Sequence, residues 1–254
     1  IDSKIIFSWN CMTVIGLLDV ALALQNDIYF EKALTLTEKL EQQFTDETHI
    51  YRINDGSRKI NGFLDDYAFY IRLCIQLHQY TLAEIWLEKA VFWLERITEI
   101  FGKQNNLFYY SETDNLLITK TIETEDNVIP SSNSVLANCY WDLGVIHANE
   151  TWLNTAVQML QCVQSGMENY GSGYSNWAIL LHKILKGDLL VNYLGKISSE
   201  SHLQQLRRLH DIALFKSNAQ FEKENTFEIC HLRQCKLPVV GFEQIFENVK
   251  KVLS

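Results

Sequence analysis

Two prolines in 254 residues leave long helices free of interruption. No Cys-x-x-Cys occurs among the six cysteines, which favours a reducing compartment and a cytoplasmic protein over a disulfide scaffold. The longest apolar stretches fall short of the ~20 residues that a membrane span requires, and the residues present do not open as a charged-then-apolar leader. Basic residues are also scarce. Twenty-two Lys and Arg against 31 Asp and Glu give a net charge of −9, a field that repels phosphate backbones. The one concentrated basic run, Arg207 and Arg208, is too short to reverse it, so neither nucleic acid nor membrane is an expected partner. The sequence starts on Ile1 rather than Met, the expectation being a processed product or a trimmed fragment.

What is present is core-forming material and a repeat. Hydrophobic residues make up 47%, including six Trp, eleven Tyr and thirteen Phe. Tyr29-Phe30-Glu31-Lys32-Ala33-Leu34 recurs as Trp86-Leu87-Glu88-Lys89-Ala90-Val91 and as Trp152-Leu153-Asn154-Thr155-Ala156-Val157. Each copy opens a helix with apolar positions at i, i+3, i+4 and i+7. Each is preceded, across a short turn, by another apolar helix: roughly 10–25, 63–79 and 133–148. Turns that short make antiparallel neighbours, so the unit is an αα-hairpin, with a first helix A and a second helix B. A fourth A helix is expected to start at Ser175-Asn176-Trp177. From about residue 188 the texture changes, and Leu189–Tyr193, Ile212–Phe215 and Thr226–Ile229 read as short strands between helices. The expected architecture is mainly α, a partial (α/α)-toroid of helical hairpins over 1–187, with a small α/β appendage over 188–254.

The four A helices open on Ser8-Trp9-Asn10, Phe63-Leu64-Asp65-Asp66-Tyr67, Ser131-Ser132-Asn133-Ser134 and Ser175-Asn176-Trp177. Parallel A helices place these openings on one rim, beside long B-to-A loops of the kind that carry binding groups. Ser8, Asp65, Ser131 and Ser175 are residue types that cap helix N-termini. Caps alone do not explain aromatic rings beside amides and carboxylates, a combination suited to a sugar or another polyhydroxylated small molecule. The expected binding residues are Trp9, Asn10, Phe63, Tyr67 and Asn133. At most one of Asp65 and Asp66 is expected to be catalytic, because adjacent helical residues point about 100° apart. His78 and His147 fall at the opposite ends of A helices and read as groups interacting with the helix dipole. No His-x-x-x-His spacing occurs, and neither a metal nor a cofactor is expected. Cys230 and Cys235, with His231 between them, lack a fourth metal ligand. Unlinked thiols are the default reading there, with a disulfide or redox role as the alternative.

These segments resemble a known family. Lys4–Asn10, Asn61–Ala68, Pro130–Ser134 and the tail Cys230-x-x-x-x-Cys235-Lys236-Leu237-Pro238 are similar to successive signatures of YyaL-type thioredoxin-domain-containing proteins, the group of the spermatogenesis-associated thioredoxin-domain protein. The resemblance implies an N-terminal thioredoxin-like domain followed by an (α/α)₆ toroid of the six-hairpin glycosidase and N-acylglucosamine 2-epimerase type. Only about three and a half hairpins are present and no thioredoxin-like segment, so the chain looks like the C-terminal half of such a protein. Two functions follow as expectations: a carbohydrate-related site, or a non-catalytic scaffold whose partner is the N-terminal half or a second subunit.

Overall fold

The repeated alanines set the spacing of the helix pairs. Ala33, Ala90 and Ala156 are all fully buried, one in the second turn of each B helix, where a side chain of one methyl group lets the two helices of a hairpin approach closely. A computed structural model describes residues 4–57, 59–112, 120–195, 200–207, 209, 213–217, 225–231 and 234–253. Arg208 and Ile212 of the sequence reading lie outside the described residues.

The A helices are α1 (Phe7–Leu24), α3 (Leu64–Thr81), α5 (Ser132–His147) and α7 (Ser175–Lys186). The B helices are α2 (Asp27–Phe44), α4 (Glu84–Phe101) and α6 (Glu150–Asn169). Three complete hairpins and one partial one are therefore present, as the repeat predicts. The turns inside the hairpins repeat as well. Gln25, Leu82 and Ala148 each close an A helix in the left-handed conformation, and Asn26 and Asn149 then cap the following B helix through their side chains.

The A helices pack side by side, α1 on α3, α3 on α5 and α5 on α7, with each B helix against its own A helix. The A layer is consequently the inner one. Every residue of α3 except Arg72 and Thr81 is buried, and every residue of α5 except Val145 and His147. The B helices bury one face only. Polar groups caught in the inner layer are paired across helices: Asp142 on α5 accepts from Arg72 on α3 (2.7 Å) and Lys183 on α7 (2.6 Å).

Helix α1 is apolar and long enough, by length and composition, to cross a membrane, with a mean hydropathy of 1.6 over 18 residues. That corrects the expectation that no stretch reaches this length. Its Phe7, Cys11, Val14, Leu18 and Ala21 are buried in the helical core, while a third of the 18-residue window in all is buried.

Two B-to-A connections carry small antiparallel hairpins, β1 (Tyr51–Asn54) with β2 (Lys59–Asn61), and β3 (Lys103–Gln104) with β4 (Leu107–Phe108). The appendage is a five-stranded mixed sheet. Strand β5 (Leu189–Tyr193) pairs in parallel with β6 (Leu214–Ser217), with α8 (Glu200–Arg207) between them in sequence. On its other edge β5 pairs antiparallel with β7 (Thr226–His231), which also pairs with β8 (Gln234–Cys235) and β9 (Val239–Val240). Helix α9 (Phe242–Leu253) packs on β7. Phe215, Phe227, Ile245 and Val249 form the centre of a second apolar cluster. Gln79 on α3 ties the two parts together: its amide donates to the Phe215 carbonyl (3.1 Å) and accepts from the Phe215 N–H (2.6 Å).

Candidate functional site

The rim formed by the A-helix N-termini is built around buried carboxylates. Asp65 and Asp66 occupy the first turn of α3, where the helix dipole favours negative charge. Arg52, on β1, reaches both: its Nη1 donates to Asp65 Oδ1 (2.9 Å), Asp65 Oδ2 (3.0 Å) and Asp66 Oδ2 (3.0 Å). Asp66 also accepts from the backbone N–H groups of Ser8 (2.9 Å) and Phe63 (2.9 Å), and the Ser8 hydroxyl donates to Asp65 (3.1 Å). One guanidinium and two carboxylates thus lock α1, β1 and α3 together. Burial, and then the charge of Asp65, push the Asp66 carboxyl up to about 6 against the opposing pull of Arg52. Burial works to lower the Arg52 pKa, but the charges of Asp66 and Asp65 hold it above its usual value.

A second carboxylate knot joins the next two A helices. Asp126 accepts from the Ser131 N–H (2.9 Å), the Ser134 hydroxyl (2.7 Å) and the Asn176 N–H (2.7 Å), so it bridges the N-termini of α5 and α7. Asn133 has its amide fully engaged. It accepts from the Phe108 N–H (2.9 Å) and donates to the carbonyls of Phe108 (3.0 Å) and Glu123 (3.0 Å).

Between these knots lies a cleft of about 510 Å³, lined by Asp65, Tyr110, Glu123, Glu125 and the loop from Asn127 to Ser131. Glu123 accepts from the Ser132 hydroxyl (3.1 Å). Burial raises its carboxyl pKa, and the charge of Asp65 adds to the rise. Burial raises the Tyr110 phenol too, with Asp65 contributing.

Of the expected catalytic and binding residues, Asp65 alone lines this cleft, joined by the cap residue Ser131. Asp66 lies beneath it, fully buried. Tyr67 is fully buried as well. Its ring packs edge-on against Trp93 and Phe101 and its hydroxyl accepts from the Ile50 N–H (3.0 Å), which makes it a core residue and not a stacking platform. Asn133 is likewise buried, pinning a loop instead of facing a ligand. Phe63 is half-buried, its ring 5.0 Å from both the Arg52 guanidinium and the Tyr110 ring. Trp9 is 56% exposed and Asn10 bonds locally to the Ile6 carbonyl; neither lines the cleft. The capping roles need correction too. Ser131 caps α5, but α1, α3 and α7 have Ile6, Phe63 and Tyr174 at the N-cap position. Arg52, Tyr110 and Glu123 were not singled out from sequence; their signal was only that they lie in the long B-to-A loops.

The histidines differ from expectation in part. His78 is buried, its Nδ1 bonds to the Ala83 carbonyl (3.1 Å), and burial lowers its pKa, as it does for His147. Both sit in the last turn of an A helix as expected, but burial opposes the charged form that a helix dipole favours. Cys230 and Cys235 are joined as a disulfide between facing residues of β7 and β8, which corrects the default of unlinked thiols. Glu228 completes a set of three donors within 4.8 Å, but both sulfurs are committed to each other.

No known family model matches the chain. An uncharacterized protein of Caenorhabditis elegans is 24% identical over 220 residues, covering 83% of this chain and 30% of that protein. Spermatogenesis-associated protein 20 is 22% identical in mouse and 23% in human, each match covering 66% of this chain and 23% of the relative. The chain is thus similar to spermatogenesis-associated protein 20 over about two thirds of its own length. It therefore spans less than a third of the length of these relatives. Among solved structures, a GH76 alpha-mannanase of Bacteroides thetaiotaomicron superimposes with a TM-score of 0.58 at 14% identity, covering 91% of this chain and 67% of that one. At that identity the likeness shows the fold alone, mainly α with helical hairpins arranged as in an α/α toroid.

Proposed function

We propose that the rim cleft binds a polyhydroxylated ligand, a sugar, in a six-hairpin glycosidase- or epimerase-like domain. One observation carries the reading: Asp65 and Glu123, from a helix start and a distant loop, line the same cleft together with the Tyr110 ring. Their surroundings differ. Asp65 is ion-paired to Arg52, whereas burial favours the protonated form of Glu123. An ion-paired carboxylate and a second carboxyl whose pKa burial raises are the unequal pair that acid–base work on a glycoside uses. In this reading Glu123 is the proton donor, Asp65 accepts ligand hydroxyls or stabilises positive charge, and Tyr110 offers a ring to a sugar face. Asp66 supports Arg52 from below and touches no ligand. The fold shared with the mannanase supports a carbohydrate ligand without naming one. A cytoplasmic setting belongs to the same proposal, supported by four free thiols, Cys162 among them exposed, and opposed by the Cys230–Cys235 disulfide.

The test is a panel of mannose, glucose, N-acetylglucosamine and their disaccharides, read as melting-temperature shifts and as reducing-sugar release. Binding that raises the melting temperature, is weakened in Asp65→Asn and loses turnover in Glu123→Gln is expected. A panel without any shift would sink the reading.

A scaffold function is favoured by a different observation. The outward face of α1 exposes Trp9 (56%) and Leu24 (62%), with Val20 between them and Ile5 just before the helix. An apolar stripe on the first A helix suits packing against further helices, such as those of a longer protein or a second subunit. It predicts stabilisation by the remainder of the longer protein supplied in trans, and no response to sugars.

A further inference from the structure

At the opposite end of the A helices lies a larger cavity that plays no part in the rim cleft. It has a volume of about 620 Å³ and lies between α5, α6 and α7 on one side and the sheet of the appendage on the other. That is the size of a small-molecule site. Val145, Leu153, Val157, Ile184 and Leu190 supply most of its wall, with the Trp141 indole beside them.

The polar groups of this cavity are mainly acidic. Ala148 and Gly187, the residues that close α5 and α7, both line it, so two helix C-termini border it, opposed by one helix N-terminus where α6 begins at Glu150. Asp188 and Glu150 add carboxylates, against a single lysine among the lining residues, Lys216. Asp188 accepts a hydrogen bond from the Trp141 indole N–H, which fixes it against the wall. Asn192 also lines the cavity. Its amide nitrogen is used by Glu228 (2.9 Å), while its Oδ1 is buried without a hydrogen-bond partner. A buried acceptor left unmade costs about 1–3 kcal/mol, so a ligand that brings a donor there gains.

We propose that this cavity is a binding site for a small cationic amine with an aromatic body. The apolar wall takes the ring. The ammonium supplies N–H donors to Asn192 Oδ1 and Asp188, in a field made negative by two helix ends and the carboxylates. The site is independent of whatever binds at the rim.

The proton balance gives the site a pH signature. Burial, and then Asp142, raise the Asp188 carboxyl to about 6, against the Trp141 hydrogen bond and the charges of Lys183 and His231. Glu150 and Lys216 are the other charged groups that line the cavity. Only the ionised carboxylate attracts the ammonium, so affinity rises with pH through that value.

The experiment is calorimetric titration of the whole chain with 2-phenylethylamine and with its neutral counterpart 2-phenylethanol, at pH 5.0 and 7.5. Saturable amine binding, about tenfold tighter at pH 7.5 because the ionised fraction of Asp188 rises about that much, and weaker binding of the alcohol are expected. Asp188→Asn, which keeps an acceptor for the indole, removes the pH dependence. Val157→Trp fills the cavity and abolishes binding, with circular dichroism confirming the fold. Absent amine binding, equal affinity for amine and alcohol, or binding that survives in Val157→Trp would overturn the proposal.

Discussion

Replacing Arg52 by Met tests the architecture of the rim directly. The substitution keeps an unbranched apolar stem beside the Phe63 ring and removes the guanidinium that contacts both Asp65 and Asp66. Asp66 has no exposed side-chain surface, so its carboxylate is left with the Ser8 and Phe63 N–H groups and no countercharge. Breaking one side of a buried pair costs about 3–5 kcal/mol. In a chain of this size, that corresponds to a melting-temperature loss of roughly 6–20 °C. The loss has a definite pH dependence. The Asp66 carboxyl is already raised in the folded protein to about 6, against about 3.9 when unfolded. A raised carboxyl favours the folded state at low pH, below the unfolded value, and that contribution disappears as pH rises through the folded value. Without Arg52 the folded value climbs further and the penalty at neutral pH grows. Urea unfolding of Arg52→Met is therefore expected to show a small deficit at pH 5.0 and the full deficit at pH 7.5. Adding Asp66→Asn to Arg52→Met should cost less than the sum of the two single changes, because the two residues share one interaction. A deficit under 1 kcal/mol at pH 7.5, or one that does not vary with pH, would show that the pair does not hold the rim.

Two further changes probe the hairpin array. At Gly144, on the inner helix α5, a Cβ would meet the Leu153 side chain at 2.8 Å and its backbone N at 3.1 Å; Gly144→Ala should therefore destabilise by about 1–3 kcal/mol through overpacking, despite the better helix propensity of Ala, as read from urea midpoints. Asn149 accepts from the N–H groups of Thr151 (3.0 Å) and Trp152 (3.2 Å) at the start of α6, and Asn149→Ala should cost about 1 kcal/mol in the same assay.

The helices were legible because their signals are local. Apolar spacing located the A and B helices, and the Tyr29, Trp86 and Trp152 segments marked each B helix start. Three of the appendage strands, β5, β6 and β7, were found within about two residues, whereas the two-residue strands β8 and β9 were too short to leave a pattern. The structure brings the A-helix openings to one rim, but of the expected catalytic and binding residues only Asp65 lines the cleft there, and the reason is the range of the interactions. Ser8 looks like a cap, yet its N–H is taken by a carboxylate 58 positions away, so nothing near it in sequence reveals the partner. Tyr67 follows two aspartates in the way a ligand-facing aromatic would, but the inner helix is surrounded by neighbours and its ring turns toward Trp93 and Phe101. Arg52 and Glu123 sit in loops without periodicity. Only the packing of those loops over the start of α3 and α5 joins them to Asp65.

The placement of the cleft also bears on whether an open array can hold a working site. Helix α1 packs on α2 and α3, and α7 packs on α5 and α6. The two ends of the A layer thus carry the exposed apolar residues, Trp9 and Leu24 at one end and Ile179 and Leu185 at the other. Additional hairpins would cover those ends first. The cleft lies elsewhere, between the start of α3 and the loop that leads into α5, in the middle of the layer, and its lining comes from Asp65, Tyr110 and residues 122–125 and 127–131. Asp65 and Glu123 are positioned there by Arg52, Ser8 and Ser132, all of them within the described residues. A sugar that binds between Asp65 and Glu123 needs no contact from either end of the array. The chain on its own is therefore a fair subject for the sugar panel, while the exposed ends are where a scaffold partner would dock. The two functions make separable demands on the molecule: changing Trp9 should leave sugar binding intact, and changing Glu123 should leave docking intact.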